Sequence, residues 1–293
     1  MVCQVWGYTE IVKELRGLKL DWQKYPDFLR VKPAISNLWY RGNLSLLEAK
    51  PRLAIVGSRR MTDYGRSVIE KWTPQLVEAG VTIVSGMMYG VDQCAHENAL
   101  KYAGKTIGVL GWGIDRPASS PDEKLTRQME ENGLLISEYE AESEARLWMF
   151  PARNRIVVGM SDAVWVVEAG ERSGSLITAN WARKMQVPLL ALPGQIDRGV
   201  SRGTNDLIRS GLASMVTKVE HILQMLGKEA RDNTQQLLLA EPILELLLDQ
   251  PRGVDELVKI TRSTVGEVMQ KLSGFELEGR VESRGGRYYV IEG

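Results

Sequence analysis

The strongest constraint on this chain's fold is a rhythm that begins at residue 52. Short, wholly apolar runs end in Gly or Ser, and each is followed by a stretch of helical period. Leu53-Ala54-Ile55-Val56 ends in Gly57-Ser58-Arg59, and Val81 to Val84 ends in Ser85-Gly86. Thr106 to Leu110 ends in Gly111-Trp112-Gly113, and Leu134 to Ser137, residues 163–168 and Leu189 to Leu192 continue the series. Helical patterns lie between and after them, at about 64–79, 91–102, 121–131, 174–184, 204–210 and 218–226. A strand that is apolar along its whole length is buried on both faces, so the pattern predicts a mostly parallel α/β sheet with helices on either side. In such sheets ligands sit outside the carboxyl ends of the strands, where the strand order reverses. Arg59, Ser85-Gly86, Gly111, Glu168 and the turn at 173–175 are therefore expected on one rim.

The rest of the chain is arranged around this core. Residues 1–50 are expected to be a lead-in, with a short helix near Thr9 to Leu18 and an edge strand at 37–42. The α/β domain spans 51–227. The polar run from Lys228 to Gln236 predicts a linker at 228–236. Beyond it, 237–293 reads as helices at 242–248, 254–260 and 263–277, the last capped by Thr261 or Ser263. Two strands, 280–282 and 287–291, follow around Arg284-Gly285-Gly286. Three helices and a β-hairpin predict a small winged helix-turn-helix domain.

Charge and cysteine content narrow the function. The 37 basic and 37 acidic residues cancel, so nucleic-acid affinity has to come from a local patch. Cys3 and Cys94 make no disulfide framework, and with only His96 and His221 the chain predicts no metal site. No run is apolar enough for a membrane span, so a cytoplasmic protein without membrane contact is expected.

The stretch from Phe150 to Thr178 holds the most chemistry. Arg153 and Arg155 flank Asn154, a strand follows, and then a turn containing Ser173, Gly174 and Ser175 opens a helix. Unpaired N–H groups and the positive end of a helix dipole suit phosphate. An aromatic ring beside two arginines suits single-stranded nucleic acid, with a base stacked on the ring and arginines on the phosphates; packing of Phe150 in the core, with the arginines paired to Glu138 or Glu168, is the structural alternative. Trp148 is a second stacking candidate. Gly57-Ser58-Arg59 can admit and clamp a phosphate. The stretch is not a P-loop, and the first strand lacks the dinucleotide fingerprint, so no cofactor is predicted. Asp92 and His96 share a helix face but fit structural roles better than catalysis. The winged-helix segment, residues 235–293, carries seven basic against ten acidic residues, a net charge of −3, which predicts poor duplex binding and a protein contact instead.

These residues form a series that resembles the DprA (Smf) family, the DNA-processing protein A. It runs through Ala54-Ile55-Val56-Gly57-Ser58-Arg59, Val84-Ser85-Gly86, Gly90-Val91-Asp92, Ala95-His96, Ser137-Glu138, Phe150-Pro151, Arg153-Asn154-Arg155-Ile156, Val166-Val167-Glu168-Ala169, Ser173-Gly174-Ser175 and Pro193-Gly194. Tyr25-Pro26 and Leu38-Trp39-Tyr40-Arg41-Gly42 also match. The chain departs from the family at Met87-Met88 and at Arg116 to Ser120. The resemblance implies an extended Rossmann-like domain that binds single-stranded DNA, forms a homodimer and helps load the RecA recombinase, notably in natural transformation. Carried over by motif, the DNA-contacting candidates are Ser58, Arg59, Ser85, Gly86, Phe150, Arg153, Asn154, Arg155, Ser173, Gly174 and Ser175.

The expected function is thus a single-stranded DNA-binding recombination mediator without catalysis. Two alternatives come from other classes. A phosphoribohydrolase would need a catalytic acid after Thr178, where Ala179-Asn180 stand instead. A ligand-sensing transcriptional regulator would need a basic winged helix.

Overall fold

A computed structural model of the chain describes residues 17–116, 123–228, 242–277 and 280–291. The helix expected from Thr9, nearly all of the linker and residues 117–120 lie outside these ranges. Contacts divide the chain into two compact units, Met1–Ala230 and Arg231–Gly293.

The first unit is built on a nine-stranded sheet. Its strands are β1 (Leu18–Leu20), β2 (Leu38–Gly42), β3 (Arg52–Val56), β4 (Thr82–Gly86), β5 (Thr106–Leu110), β6 (Leu134–Ser137), β7 (Ala163–Val166), β8 (Leu189–Ala191) and β9 (Ser214–Met215), in the order β1-β2-β6-β5-β4-β3-β7-β8-β9. The seven strands from β3 onward pair in parallel. β2 joins β6 antiparallel, and β1 joins β2 the same way. The chain steps outward from β3 to β6 and then returns to place β7 on the other side of β3. The order therefore reverses between β3 and β7, the point at which such sheets open a crevice.

Among the described residues, seven helices of at least seven residues cover the faces: α1 (Asp63–Glu78), α2 (Val91–Lys101), α3 (Glu123–Asn132), α4 (Met149–Gly159), α5 (Gly174–Lys184), α6 (Arg202–Arg209) and α7 (Val219–Met225). Strand alternation sorts the core into two layers. Leu53, Ile55, Ile83, Ala163 and Trp165 pack with Ile69, Trp72 and Leu76 of α1 and with Val91 and Ala95 of α2. The rings of Trp72 and Trp165 stack there at 5.1 Å. Ala54, Val56, Val84, Val164 and Val166 point the other way, toward Ile156 and Val157 of α4 and Ala179 of α5.

The lead-in is pinned to this sheet by buried polar groups. The Arg52 guanidinium pairs with Asp27 at 2.8 Å and donates to the Leu47 carbonyl, while the Arg52 backbone N–H donates to Asp162 at 2.8 Å. Arg41 of β2 bridges Asp115 (2.7 Å) and Glu130 (2.8 Å).

The second unit holds α8 (Pro242–Asp249), α9 (Val254–Thr261), α10 (Val265–Leu277) and the hairpin β10 (Val281–Arg284) with β11 (Arg287–Val290). Ile243, Leu247, Leu257, Val268, Leu272 and Phe275 form its core with Val281 and Tyr288. Gly285 and Gly286 both take positive φ (59° and 75°), which a two-residue hairpin turn requires. The cap of α10 is Thr264, not Thr261 or Ser263. Its hydroxyl accepts the Glu267 N–H at 3.3 Å, and the Glu267 carboxylate accepts the Thr264 N–H at 2.8 Å, a capping box. The Thr261 hydroxyl instead donates back to Leu257 within α9.

Candidate nucleic-acid interface

At the carboxyl ends of β3, β4 and β7 lies a groove of ≈ 890 Å³. Four segments wall it: the loop after β3, the first turns of α4, the turn from Gly170 into α5, and the loop at 198–200 that follows β8. The β3 loop turns tightly because Gly90 lies against it. Gly90 takes φ +78°, and a Cβ there would collide with the Ser58 carbonyl. The Ser58 hydroxyl accepts the Arg60 N–H at 3.1 Å, so both arginine side chains leave the loop on the exposed side.

Nine of the eleven candidate residues line this groove: Ser58, Arg59, Gly86, Phe150, Arg153, Asn154, Ser173, Gly174 and Ser175. The other two do not reach it. Ser85 is fully buried in β4, and its hydroxyl donates to the Ile55 carbonyl at 2.6 Å. Arg155 is buried behind α4 and pairs with Glu138 at 2.5 Å. Both side chains hold the scaffold and face away from the groove lining. Glu168 is not a rim acid either. It is 3% exposed and uses its carboxylate on the Thr62 N–H (2.9 Å) and the Thr62 hydroxyl.

Arg153 lies in the groove floor, 3% exposed. Its guanidinium donates to the Val109 carbonyl and to the Asn154 side chain (3.2 Å). The opposite edge of that guanidinium faces Asp92 across Gly86. A Cβ on Gly86 would sit 2.5 Å from both Arg153 Nη2 and Asp92 Oδ2, so only glycine lets the two approach. Burial pushes the Asp92 carboxyl up to about 6, with Arg153 pulling against the rise. His96, one turn along α2, is fully buried. Its ring nitrogens meet the Thr106 hydroxyl (2.7 Å) and the Gly86 carbonyl (2.9 Å), and burial holds it down to about 4. It is a satisfied core histidine.

The rim is cationic. Arg59 and Arg60 stand exposed on one side, Arg172 and Arg198 on the other. Among the described residues none of the four has a carboxylate partner. Arg198 donates to Gln195, and Glu171, the acid beside Arg172, pairs with Arg202. The Arg59 guanidinium lies over the Phe150 ring at 5.4 Å, which orients it toward the groove. Phe150 is half-buried against Trp112, with its ring pressed so close to Gly111 that a Cβ there would sit 2.9 Å away. Trp148 is 57% exposed and rests edge-on against Tyr139, outside the groove lining.

The start of α5 completes the wall. Ser173 is its N-cap; the hydroxyl accepts the Ser175 N–H at 3.3 Å, and no acid occupies the first turn. The positive end of this eleven-residue helix is left uncancelled at the groove.

Comparison with known proteins bears on what such a groove holds. A model of the DNA recombination-mediator protein A family matches residues 18–227. The chain belongs to the DNA recombination-mediator protein A family. A model of the DprA winged helix domain matches residues 220–287 of this family member, starting within α7 of the first unit. Protein Smf of Synechocystis is 32% identical over 310 residues, covering 90% of this chain and 78% of that protein. The DNA processing protein DprA of Streptococcus pneumoniae is 37% identical over 217 residues, 70% of this chain and 76% of that one. Its X-ray structure superposes with a TM-score of 0.67 over 74% of this chain and 76% of its own. DNA processing protein A of Helicobacter pylori, whose structure was described for its single-stranded DNA binding mode, also gives 0.67, at 32% identity, over 73% of this chain and 96% of its own.

Within this mediator fold, sequence patterns missed Arg60, Arg172 and Arg198. Arg60 and Arg172 sit on loops that follow β3 and β7, the strands flanking the switch point, and that position was the available signal; Arg198 follows β8, the neighbour of β7.

Proposed function

We propose that the groove holds single-stranded DNA and that the protein acts as a recombination mediator, working as a homodimer that protects the strand and helps load the RecA recombinase. The observation that carries this is the set of four exposed arginines that, among the described residues, have no carboxylate partner, around a groove whose described lining contains a single acid, the buried Asp92. Phosphates contacted by arginine supply most of the sequence-independent affinity for nucleic acid. The α5 N-terminus adds backbone donors. The family relationship, and the single-stranded DNA described for the Helicobacter pylori relative, support the same ligand. The hydrolase alternative finds little support, because the acid it would recruit, Glu168, is committed to Thr62.

The test is the affinity for fluorescein-labelled oligo-dT compared with duplex of the same length. The protein should prefer the single strand, and Arg59→Glu should lower that affinity by on the order of tenfold or more, since it reverses a charge at the groove mouth. Wild-type affinity in Arg59→Glu would refute the assignment of the groove.

A further inference from the structure

Asp92 is the only carboxyl on the groove lining among the described residues, and nothing in a phosphate-binding surface requires an acid there. We infer that Asp92 is a positioning residue for Arg153 and that single-stranded DNA binding is coupled to uptake of one proton by its carboxyl. This rests on the groove being the single-stranded DNA site.

The geometry gives the coupling its direction. Arg153 is fixed on one edge by the Val109 carbonyl and the Asn154 side chain. Its Nη2 is directed past Gly86 toward Asp92 Oδ2. While Asp92 is ionised, that edge of the guanidinium faces a carboxylate, and the pair presents little net charge to an arriving phosphate. Once Asp92 is neutral, the charge of Arg153 is uncancelled.

The groups facing Asp92 come from four segments: Arg153 of α4, Arg59 of the β3 loop, Ser85 of β4 and the Met88 backbone N–H. Of these only the arginines are charged, and both oppose protonation. The Ser85 hydroxyl and the Met88 N–H likewise favour the carboxylate, so burial alone drives the carboxyl upward, against all four. Burial places the Asp92 carboxyl near 6, within reach of neutral pH, and a phosphate beside it would shift the balance further toward the neutral form. His96, on the same helix, does not supply the proton, because both its ring nitrogens are engaged and it stays neutral over this range.

Oligo-dT is the probe, because thymine does not titrate between about pH 5 and about pH 8, and its dissociation constant would be measured across that window for wild type and Asp92→Asn. If only the neutral form of Asp92 accommodates phosphate, wild-type affinity falls as pH rises above about 6, by up to roughly tenfold per unit. Asp92→Asn, which keeps the shape but cannot ionise, should bind tightly with a flat profile. Calorimetry of the wild type in two buffers of different ionisation enthalpy should find uptake approaching one proton per bound strand near pH 7. Identical pH profiles for the two proteins, or no proton uptake, would overturn the coupling, and the calorimetry decides even if Asp92→Asn does not fold. A flat wild-type profile with binding still lost in Arg59→Glu leaves the groove standing and removes only this inference. Absence of oligo-dT binding at every pH removes the groove itself.

Discussion

Arg172 gives the sharpest test of how the groove acquires its charge. Its side chain is exposed, lines the groove, and among the described residues makes no hydrogen bond or ion pair. Replacing it with alanine should therefore change folding stability by no more than about 0.5 kcal/mol. Its effect should appear in the salt dependence of binding. Each phosphate neutralised on a single strand contributes about −0.7 to the slope of log affinity against log salt. If Arg59, Arg60, Arg172 and Arg198 each meet one phosphate, the wild-type slope is roughly −3, and Arg172→Ala should move it to roughly −2. The lost contact is then worth roughly fivefold in affinity at about 0.1 M salt relative to about 1 M. Fluorescence anisotropy of labelled oligo-dT over a salt series measures both numbers. Arg183 of α5 serves as the control, since it is exposed, bonded to Asn180 and absent from the groove lining. An unchanged slope in Arg172→Ala, or an equal change in Arg183→Ala, would refute the claim that this rim carries the phosphates.

Two further outcomes follow from the groove floor. Gly86→Ala places a methyl group against Arg153 and Asp92 and should cost about 1–3 kcal/mol in urea unfolding, with oligo-dT affinity falling in parallel; Gly174→Ala, whose added Cβ meets nothing within 4 Å, should leave stability unchanged or raise it slightly. Stability against pH should show two opposed titrations. The raised carboxyl of Asp92 makes the native state less stable as pH rises from about 4 to about 6, while the lowered His96 makes it more stable from about 4 to about 6.5, so the two nearly cancel. Asp92→Asn removes the first, and its stability should then climb by about 1.4 kcal/mol per pH unit over that range; a flat profile in the variant would show that His96 does not titrate as its burial requires.

The sheet was legible because its strands are apolar on both faces and end in small residues, and that pattern survives without knowledge of any contact. The switch point followed from the fold class. The fate of the paired arginines was harder to see. Residues 153 and 155 look like one cluster in the sequence, but both lie on α4, where positions two apart point to opposite sides of the helix. Once that segment is a helix, only one of them can face the groove, and Glu138 is placed to receive the other. Ser85 was misplaced for a related reason: it looks like the end of a strand, yet it is the fourth of five β4 residues and remains in the ladder, where its hydroxyl is enclosed. Arg198 gave no local signal, since it reaches the rim only because β8 lies next to β7.

The two units dispose of their arginines differently, and this bears on which of them meets DNA. In the winged helix, Arg284 pairs with Glu282 at 2.5 Å, Arg287 with Glu256 at 3.2 Å and Arg252 with Asp249 at 3.0 Å. The wing therefore presents closed ion pairs where a duplex reader would present open cations. The helix expected to read bases shows Val265 and Met269 on its exposed surface, with Ile260 exposed at the end of α9. Charge that is already paired has few counterions to release, so it contributes little to nucleic-acid affinity. A chain with no net charge can still hold a polyanion if its unpaired cations are gathered in one place. Among the described residues Arg59, Arg60, Arg172 and Arg198, exposed and without a carboxylate partner, are gathered at the switch point of the sheet, and it is there, in the α/β unit, that the proposed single-stranded DNA site lies.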